Sequence, residues 1–193
     1  MAESGKRESL LRAADTLFHR KGFEHTSIAD VAASAEVPLG NVYYYFKTRD
    51  ELAKAVTEQR LASVRARRAE WDALASPRDR LLAYVKSFEN RIEEFTAHGC
   101  PAGSLCLEAN KLGGSVAGDA GSIFRESLEW MRIQFRAMGL PDRQARAHAA
   151  HILSGRQGSV LLANTFKDPE YIRLEIARLK KWLGDMPDGK GRK

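Results

Sequence analysis

Cysteine is almost missing from this chain: Cys100 and Cys106 are the only two among 193 residues. Their spacing is neither CxxC nor part of a Cys/His quartet, so neither a disulfide framework nor a structural zinc site is supported, and free thiols are expected. Long apolar runs are also missing. None approaches the roughly 20 residues that span a bilayer, and the N-terminus, MAESGKRESLL, lacks a signal-peptide apolar stretch, so the protein is expected in the cytoplasm with no membrane partner. No strand-like alternation of useful length and no fixed-period repeat occurs, which leaves an all-α chain. Gly113-Gly114-Ser115-Val116-Ala117-Gly118 is glycine-rich, but no Lys-Ser/Thr pair follows it, so it reads as a loop rather than a phosphate cradle. No cofactor fingerprint and no nucleophile, base and orienter set is visible. An enzyme is disfavoured, and no catalytic residue, metal ligand or cofactor is assigned.

What is present begins with an ordinary globular composition, 44% hydrophobic, and a formal net charge of +6. That charge suits a polyanion, although a solvated basic surface gives the same total. Much of the excess lies late, at Lys180, Lys181, Lys190, Arg192 and Lys193, so placement has to carry any argument for nucleic acid.

Placement points to residues 26–52. Ile28, Val31, Ala32 and Ala35 recur at helical steps, and Ser27 with Asp30 has capping-box spacing. Glu36-Val37-Pro38-Leu39-Gly40 interrupts the pattern, because Pro38 removes a donor and pushes Val37 towards extended geometry. A second short helix follows, with Val42, Tyr45 and Phe46 able to face inward and Asn41, Tyr43, Tyr44 and Lys47 pointing partly outward. Thr48 and Glu51 then open a third helix. Upstream, Leu10, Leu11, Ala14, Leu17 and Phe18 share one face of a first helix that ends near Gly22, while Met1–Gly5 reads as a mobile arm. Lys6 and Arg7 fit either a phosphate contact or a solvated tail.

The stretch resembles the DNA-binding domain of TetR-type transcriptional repressors. The resemblance rests on Arg7 ahead of Leu10-Leu11, on Gly22-Phe23, Thr26-Ser27-Ile28-Ala29-Asp30-Val31-Ala32, Gly40-Asn41-Val42-Tyr43 and Phe46-Lys47-Thr48-Arg49-Asp50-Glu51-Leu52. Two positions depart from it: Glu36 stands where glycine is common, and Arg49 where lysine is usual. The resemblance implies that the helix from about Leu39 to Phe46 enters the major groove. Leu39, Gly40, Asn41 and Tyr44 would then lie near base edges, while Thr26, Tyr43, Tyr45, Lys47 and Arg49 grip phosphates. Asn41 is the best base reader, since an amide can pair with both edge groups of adenine. Tyr45 fits a phosphate contact or a core aromatic equally well.

The domains expected are 1–52, a three-helix helix-turn-helix unit, and 53–193, a helical bundle for ligand binding and dimerisation, joined by a helix over about 48–72. Arg65, Arg67 and Arg68 along that helix read as solvated. Ser76-Pro77-Arg78-Asp79 is an N-cap, a first-turn proline and a capping acid. One helix is expected through Leu81, Val85, Phe88, Ile92 and Phe95, then an irregular segment His98–Ser104 and a short helix around 105–112. Phe124, Leu128, Met131, Phe135 and Met138 mark the next helix, and 142–165 the one after. Gly155 and Gly158 in it suggest close approach by another backbone. Asp168-Pro169 opens the last, striped with Ile172, Ile176, Leu179 and Leu183, with a frayed tail from Gly184.

This half, from Gly99-Cys100-Pro101 through Gly155–Ala163 to Asp168-Pro169, resembles the subgroup of LmrA- and YxaF-type multidrug repressors. The resemblance implies a homodimer through the last two helices, a palindromic DNA operator, and a small lipophilic effector. Cys100, Trp130, Gln157 and Asn164 are the candidate effector-binding residues. His148 and His151 share a helix face without a third ligand and read as packing or dimer-contact residues. Two rivals are a Cys100-based redox regulator or enzyme, and a DNA-compacting protein without sequence preference.

Overall fold

The computed structural model describes residues 2–112 and 121–186. The glycine-rich segment 113–118 and the tail beyond Met186 lie outside these. The described residues contain helices and turns and no strand. In order they form α1 (Ala2–Lys21), α2 (Ile28–Ser34), α3 (Leu39–Tyr45), α4 (Arg49–Asp72), α5 (Pro77–Lys86), a 3-10 turn (Glu89–Arg91), α6 (Ile92–His98), α7 (Pro101–Leu112), α8 (Ser122–Ala137), α9 (Asp142–Phe166) and α10 (Glu170–Asp185). Two compact units emerge, residues 1–63 with 101–123, and residues 64–100 with 124–193. Packing therefore divides the chain inside α4, and α7 folds with the N-terminal helices. None of the described helices is long and apolar enough to cross a membrane.

The N-terminal unit is built on local signals. Ser27 caps α2, accepting from the Asp30 backbone while the Asp30 carboxylate accepts from the Ser27 backbone at 2.9 Å. Thr48 Oγ1 likewise accepts from the Glu51 backbone at the start of α4. Leu10, Ala14, Val31, Val42, Leu52 and Val56 are fully buried, and Phe18 meets Phe23 edge to face at 5.3 Å. α1 starts at Ala2, so the arm expected over residues 1–5 is helical from residue 2. No proline separates these residues from the Leu10-Leu11 anchor, and extending an anchored helix is easy. Arg60 on α4, beyond the helix-turn-helix, ion-pairs with Asp15 of α1 and donates to the Pro101 carbonyl at 2.7 Å. Glu108 of α7 accepts from the Glu24 backbone at 3.1 Å.

Glu36 occupies the left-handed region with φ of 54°. Its N–H donates to the Ala33 carbonyl and that of Val37 to Ala32, so the residue closes α2 in the manner usually given to glycine. Such a backbone costs a residue with a side chain about 1–2 kcal/mol, and glycine's larger unfolded-state entropy offsets about 0.5–1 kcal/mol of the relief. Glu36→Gly is therefore expected to stabilise the N-terminal unit by about 0.5–1 kcal/mol. Urea denaturation followed by circular dichroism should show a raised midpoint, and an unchanged midpoint would remove the strain argument.

In the second unit Ser76 caps α5, accepting from the Asp79 backbone, with Pro77 at the first helical position. The single helix expected through Phe95 breaks at 87–91. Ser87 turns its hydroxyl back to the Tyr84 carbonyl at 2.7 Å, a local bond that competes with helix continuation. Gly99, at φ of 78°, ends α6, and α7 begins at once with Pro101, so the irregular stretch expected over 98–104 is largely helical. α9 packs on α10 and α6, and α10 on α5, around buried Leu81, Met131, Phe135, Ile152, Ile172 and Leu179. Arg68 is buried rather than solvated, because α8 presents Glu126 at 3.3 Å and the Ser127 hydroxyl at 2.8 Å. Arg65 also bonds Glu126, which holds that carboxyl below its usual range. His148 and His151 pack edge to face on Trp182, at 5.1 and 4.9 Å, and burial, then the His151 charge, lowers the His148 pKa.

The two glycines of α9 differ from expectation. A Cβ at Gly155 would collide with a Glu175 carboxylate oxygen, so the close neighbour is a side chain of α10, not a backbone. Nothing lies within 4 Å of the corresponding position at Gly158.

Candidate nucleic-acid interface

The turn between α2 and α3 sets what faces outward. Val37 and Val42 are buried on either side of it, and the Asn41 backbone donates to the Pro38 carbonyl at 2.8 Å, which starts α3 without a side-chain cap. With Val42 and Phe46 buried against the unit, the opposite side of α3 presents Leu39, Gly40, Asn41, Tyr43 and Tyr44, all exposed. Tyr44 is 70% exposed and touches Tyr45 edge to face at 5.0 Å. Tyr45 is half-buried, between its two expected roles.

Basic groups flank this face. Lys47 is exposed, and its Nζ donates to the Tyr43 carbonyl at 2.6 Å, holding a cation at the end of α3. The Glu51 carboxylate accepts from the Lys47 backbone at 2.8 Å and fixes the chain there. Arg7 of α1 lies over the Phe46 ring, 5.4 Å from its centre. Arg49 lies over Phe23 at 4.5 Å and donates through Nη1 to the Glu24 carbonyl at 2.9 Å. It thus fastens the loop between α1 and α2, while its planar fork retains further donors for a phosphate.

Thr26 is placed differently from expectation. It is fully buried, and its hydroxyl donates to the Gly22 carbonyl at 2.7 Å, so it presents no surface to a phosphate. Its role here is to close the loop behind Ser27, which carries the cap.

The four candidate effector residues all lie in the second unit, but they do not converge. Gln157 Nε2 approaches the buried Cys100 Sγ at 3.6 Å. Asn164 donates to the Thr96 carbonyl at 3.0 Å, where with Lys167 it satisfies the last turn of α6. Trp130 is buried, and its indole N–H donates to Asp72 at 2.9 Å. Sequence reasoning did not single out Arg156, which stacks over Phe88 at 3.7 Å. A charge between the buried Ile152-Leu153 and Ser159-Val160 was its only signal.

A helix-turn-helix with an exposed aromatic and amide face matches what the family comparison finds. Residues 10–56 match the family model described as "Bacterial regulatory proteins, tetR family". Residues 10–56 are thus a TetR-family DNA-binding segment. The HTH-type transcriptional repressor NemR of Escherichia coli (strain K12) is 30% identical to it over 108 residues, 55% of this chain and 53% of NemR. The chain thus matches about half the length of that relative. The HTH-type transcriptional regulator LmrA of Bacillus subtilis (strain 168) is 22% identical over 171 residues, 87% of this chain and 91% of LmrA, so that likeness runs through both halves. The fold is also that of a TetR transcriptional regulator from Legionella pneumophila, at a TM-score of 0.82 and 18% identity, covering 91% of this chain and 95% of that one.

Proposed function

We propose that this chain is a homodimeric, one-component transcriptional repressor of the TetR family, in which α3 reads a palindromic operator and a small molecule held by the second unit releases it. The exposed face of α3 carries the reading: it is an amide and two tyrosines on a seven-residue helix, flanked by cations. Residues 1–52 supply this surface, and residues 53–193 supply the effector site and the dimer contact, with α4 contributing to both. Asn41 and Tyr44 face bases with Leu39 and Gly40 beside them, and Tyr43, Lys47, Arg49 and the wet edge of Tyr45 hold the backbone. In this reading the ligand need only bind the operator-incompetent conformation better than the competent one. α4, about 36 Å long by helix rise, begins beside α3 and ends in the second unit, so it is the direct covalent route between the two.

In this reading the dimer contact is made by α9 and α10. Ser154, Gly158, Leu161, Leu162, Thr165 and Phe166 recur along one exposed stripe of α9, and Leu174 of α10 is exposed too. Leu161, Phe166 and Leu174 are each more than 60% exposed, which is unusual for side chains with that spacing unless another surface covers them. The open space over Gly158 suits close approach by the mate's helix. Two such helices from each protomer make a four-helix bundle.

Lys47→Ala is expected to weaken binding to all DNA sequences alike and to reduce the slope of log affinity against log salt by about one phosphate per protomer. Anisotropy titrations at several salt concentrations measure this. An unchanged slope would take Lys47 off the contact surface and leave it as a cap for α3.

A further inference from the structure

Arg156 stands in an unusual setting within the second unit. Its guanidinium lies 3.7 Å from the centre of the Phe88 ring, 5.8 Å from Phe95 and 6.0 Å from Tyr84. Its Nη1 reaches only the Tyr84 hydroxyl, at 3.3 Å, and its Nε is buried with no acceptor. Two other arginines bury Nε as well, but Arg68 is held by Glu126 and Ser127, and Arg78 by the Met186 carbonyl. Among the described residues Arg156 alone of the three has neither a carboxylate nor a carbonyl on its fork.

The surroundings of Arg156 add positive charge and aromatic surface. Arg67 of α4 is held below its ordinary pKa by partial burial of its side chain, then by the Arg91 and Arg156 charges, with Glu70 opposing. Arg91 is bonded to Glu94 at 2.8 and 2.9 Å, and Glu70 offsets part of the Arg67 charge, so the surplus falls mainly on Arg156. The ring cluster continues from Phe88 to Tyr84 at 5.1 Å, and from Tyr84 to Trp71 at 5.7 Å. A cation parked on π faces, with an unmet in-plane donor and a second cation beside it, is matched by a planar anion. A carboxylate can accept the two parallel N–H bonds of an arginine fork, and an aryl body can pack on rings.

We propose that this cluster is the anion-binding end of the effector site, and that the effector is a planar lipophilic monocarboxylate. Arg156 grips its carboxylate, Arg67 supplies the second charge, and Trp71, Tyr84 and Phe88 pack on its body. The assignment rests on the reading of the second unit as effector-binding, and it names the chemical class that reading leaves open.

The test titrates the full-length protein calorimetrically with 2-naphthoate and 4-biphenylcarboxylate, each beside its primary amide. The acids are expected to bind at least about tenfold more tightly than the amides. Arg156→Gln should lose at least about thirtyfold for the acids and leave the amides within about threefold, while Arg156→Lys falls between. Arg67→Gln, at an exposed position, should lose about fivefold for the acids and melt like the parent. Circular dichroism melting of every variant separates lost binding from lost fold, and Arg67→Gln keeps the test decisive if Arg156→Gln is unstable. Equal binding of acids and amides, acid binding unchanged in both glutamine variants, or no binding of either acid would overturn the proposal. Operator binding without any acid is measured in parallel. An operator released only by neutral lipophiles defeats the carboxylate and leaves the repressor reading standing, whereas acid binding without any operator preference does the reverse.

Discussion

Asn41→Ala is expected to lower operator affinity of the dimer by at least about thirtyfold, while binding to random-sequence DNA stays within about twofold. A bidentate amide contact with adenine is worth about 1–3 kcal/mol of discrimination. Two half-sites double it to about 2–6 kcal/mol per dimer, and the low end of that range is already about thirtyfold. The structure favours a clean experiment. Asn41 is exposed, and only its backbone N–H is needed to start α3, so truncation leaves the fold untouched. Anisotropy with an operator duplex and a scrambled duplex separates base reading from phosphate attraction. A proportional loss on both duplexes would move Asn41 to the backbone-contact class with Lys47.

Placing charge on the outer stripe of α9 and α10 is expected to have the other large effect. Leu161→Glu with Leu174→Glu should convert a particle of about 43 kDa, twice the 21.5 kDa chain, into one of chain mass by light scattering. The symmetry of a two-fold interface presents each new carboxylate twice, and an unpaired charge in an apolar contact costs several kcal/mol. Both leucines are exposed in the single chain, so monomer stability should change by less than about 0.5 kcal/mol for each. Operator affinity should fall to that of one head, because the second recognition helix is no longer delivered to its half-site. A variant that stays dimeric would move the interface elsewhere on the chain.

The parts of the fold that were legible in the sequence are those whose causes are local. Ser27 with Asp30, Thr48 and Ser76-Pro77 announce helix starts because a cap acts within four residues. Glu36 drew attention as a side chain where glycine is common, and φ at that residue is positive. The exposed face of α3 could be read because Val42 and Phe46 fix which side is buried. The misreadings have long-range or competing causes. Thr26 was expected at a phosphate, but the loop folds it under, with its hydroxyl on the Gly22 carbonyl. Arg68 looked solvated until α8 supplied Glu126, 58 residues along the chain. The break at 87–91 came from a serine hydroxyl competing with the helix, inside a stripe of apolar residues that continued across it. Arg156 needed the rings of Tyr84, Phe88 and Phe95 to become more than a basic residue on a helix, and spacing along one helix cannot show what other segments bring to it. Cys100 illustrates the reverse: its sequence position beside Pro101 suggested chemistry, and the structure buries it beneath Gln157.

The central claim is that two α3 helices of one dimer read a two-fold-related DNA site and that a ligand in the second unit separates them from it. Binding of the purified protein to the DNA upstream of its own gene, footprinted with and without the aryl carboxylates, tests it most directly. The account predicts two protected half-sites with centres about 34 Å apart on one face of the duplex, and loss of both together when ligand is added. Protection that spreads evenly along the fragment and vanishes under random-sequence competitor DNA would contradict it.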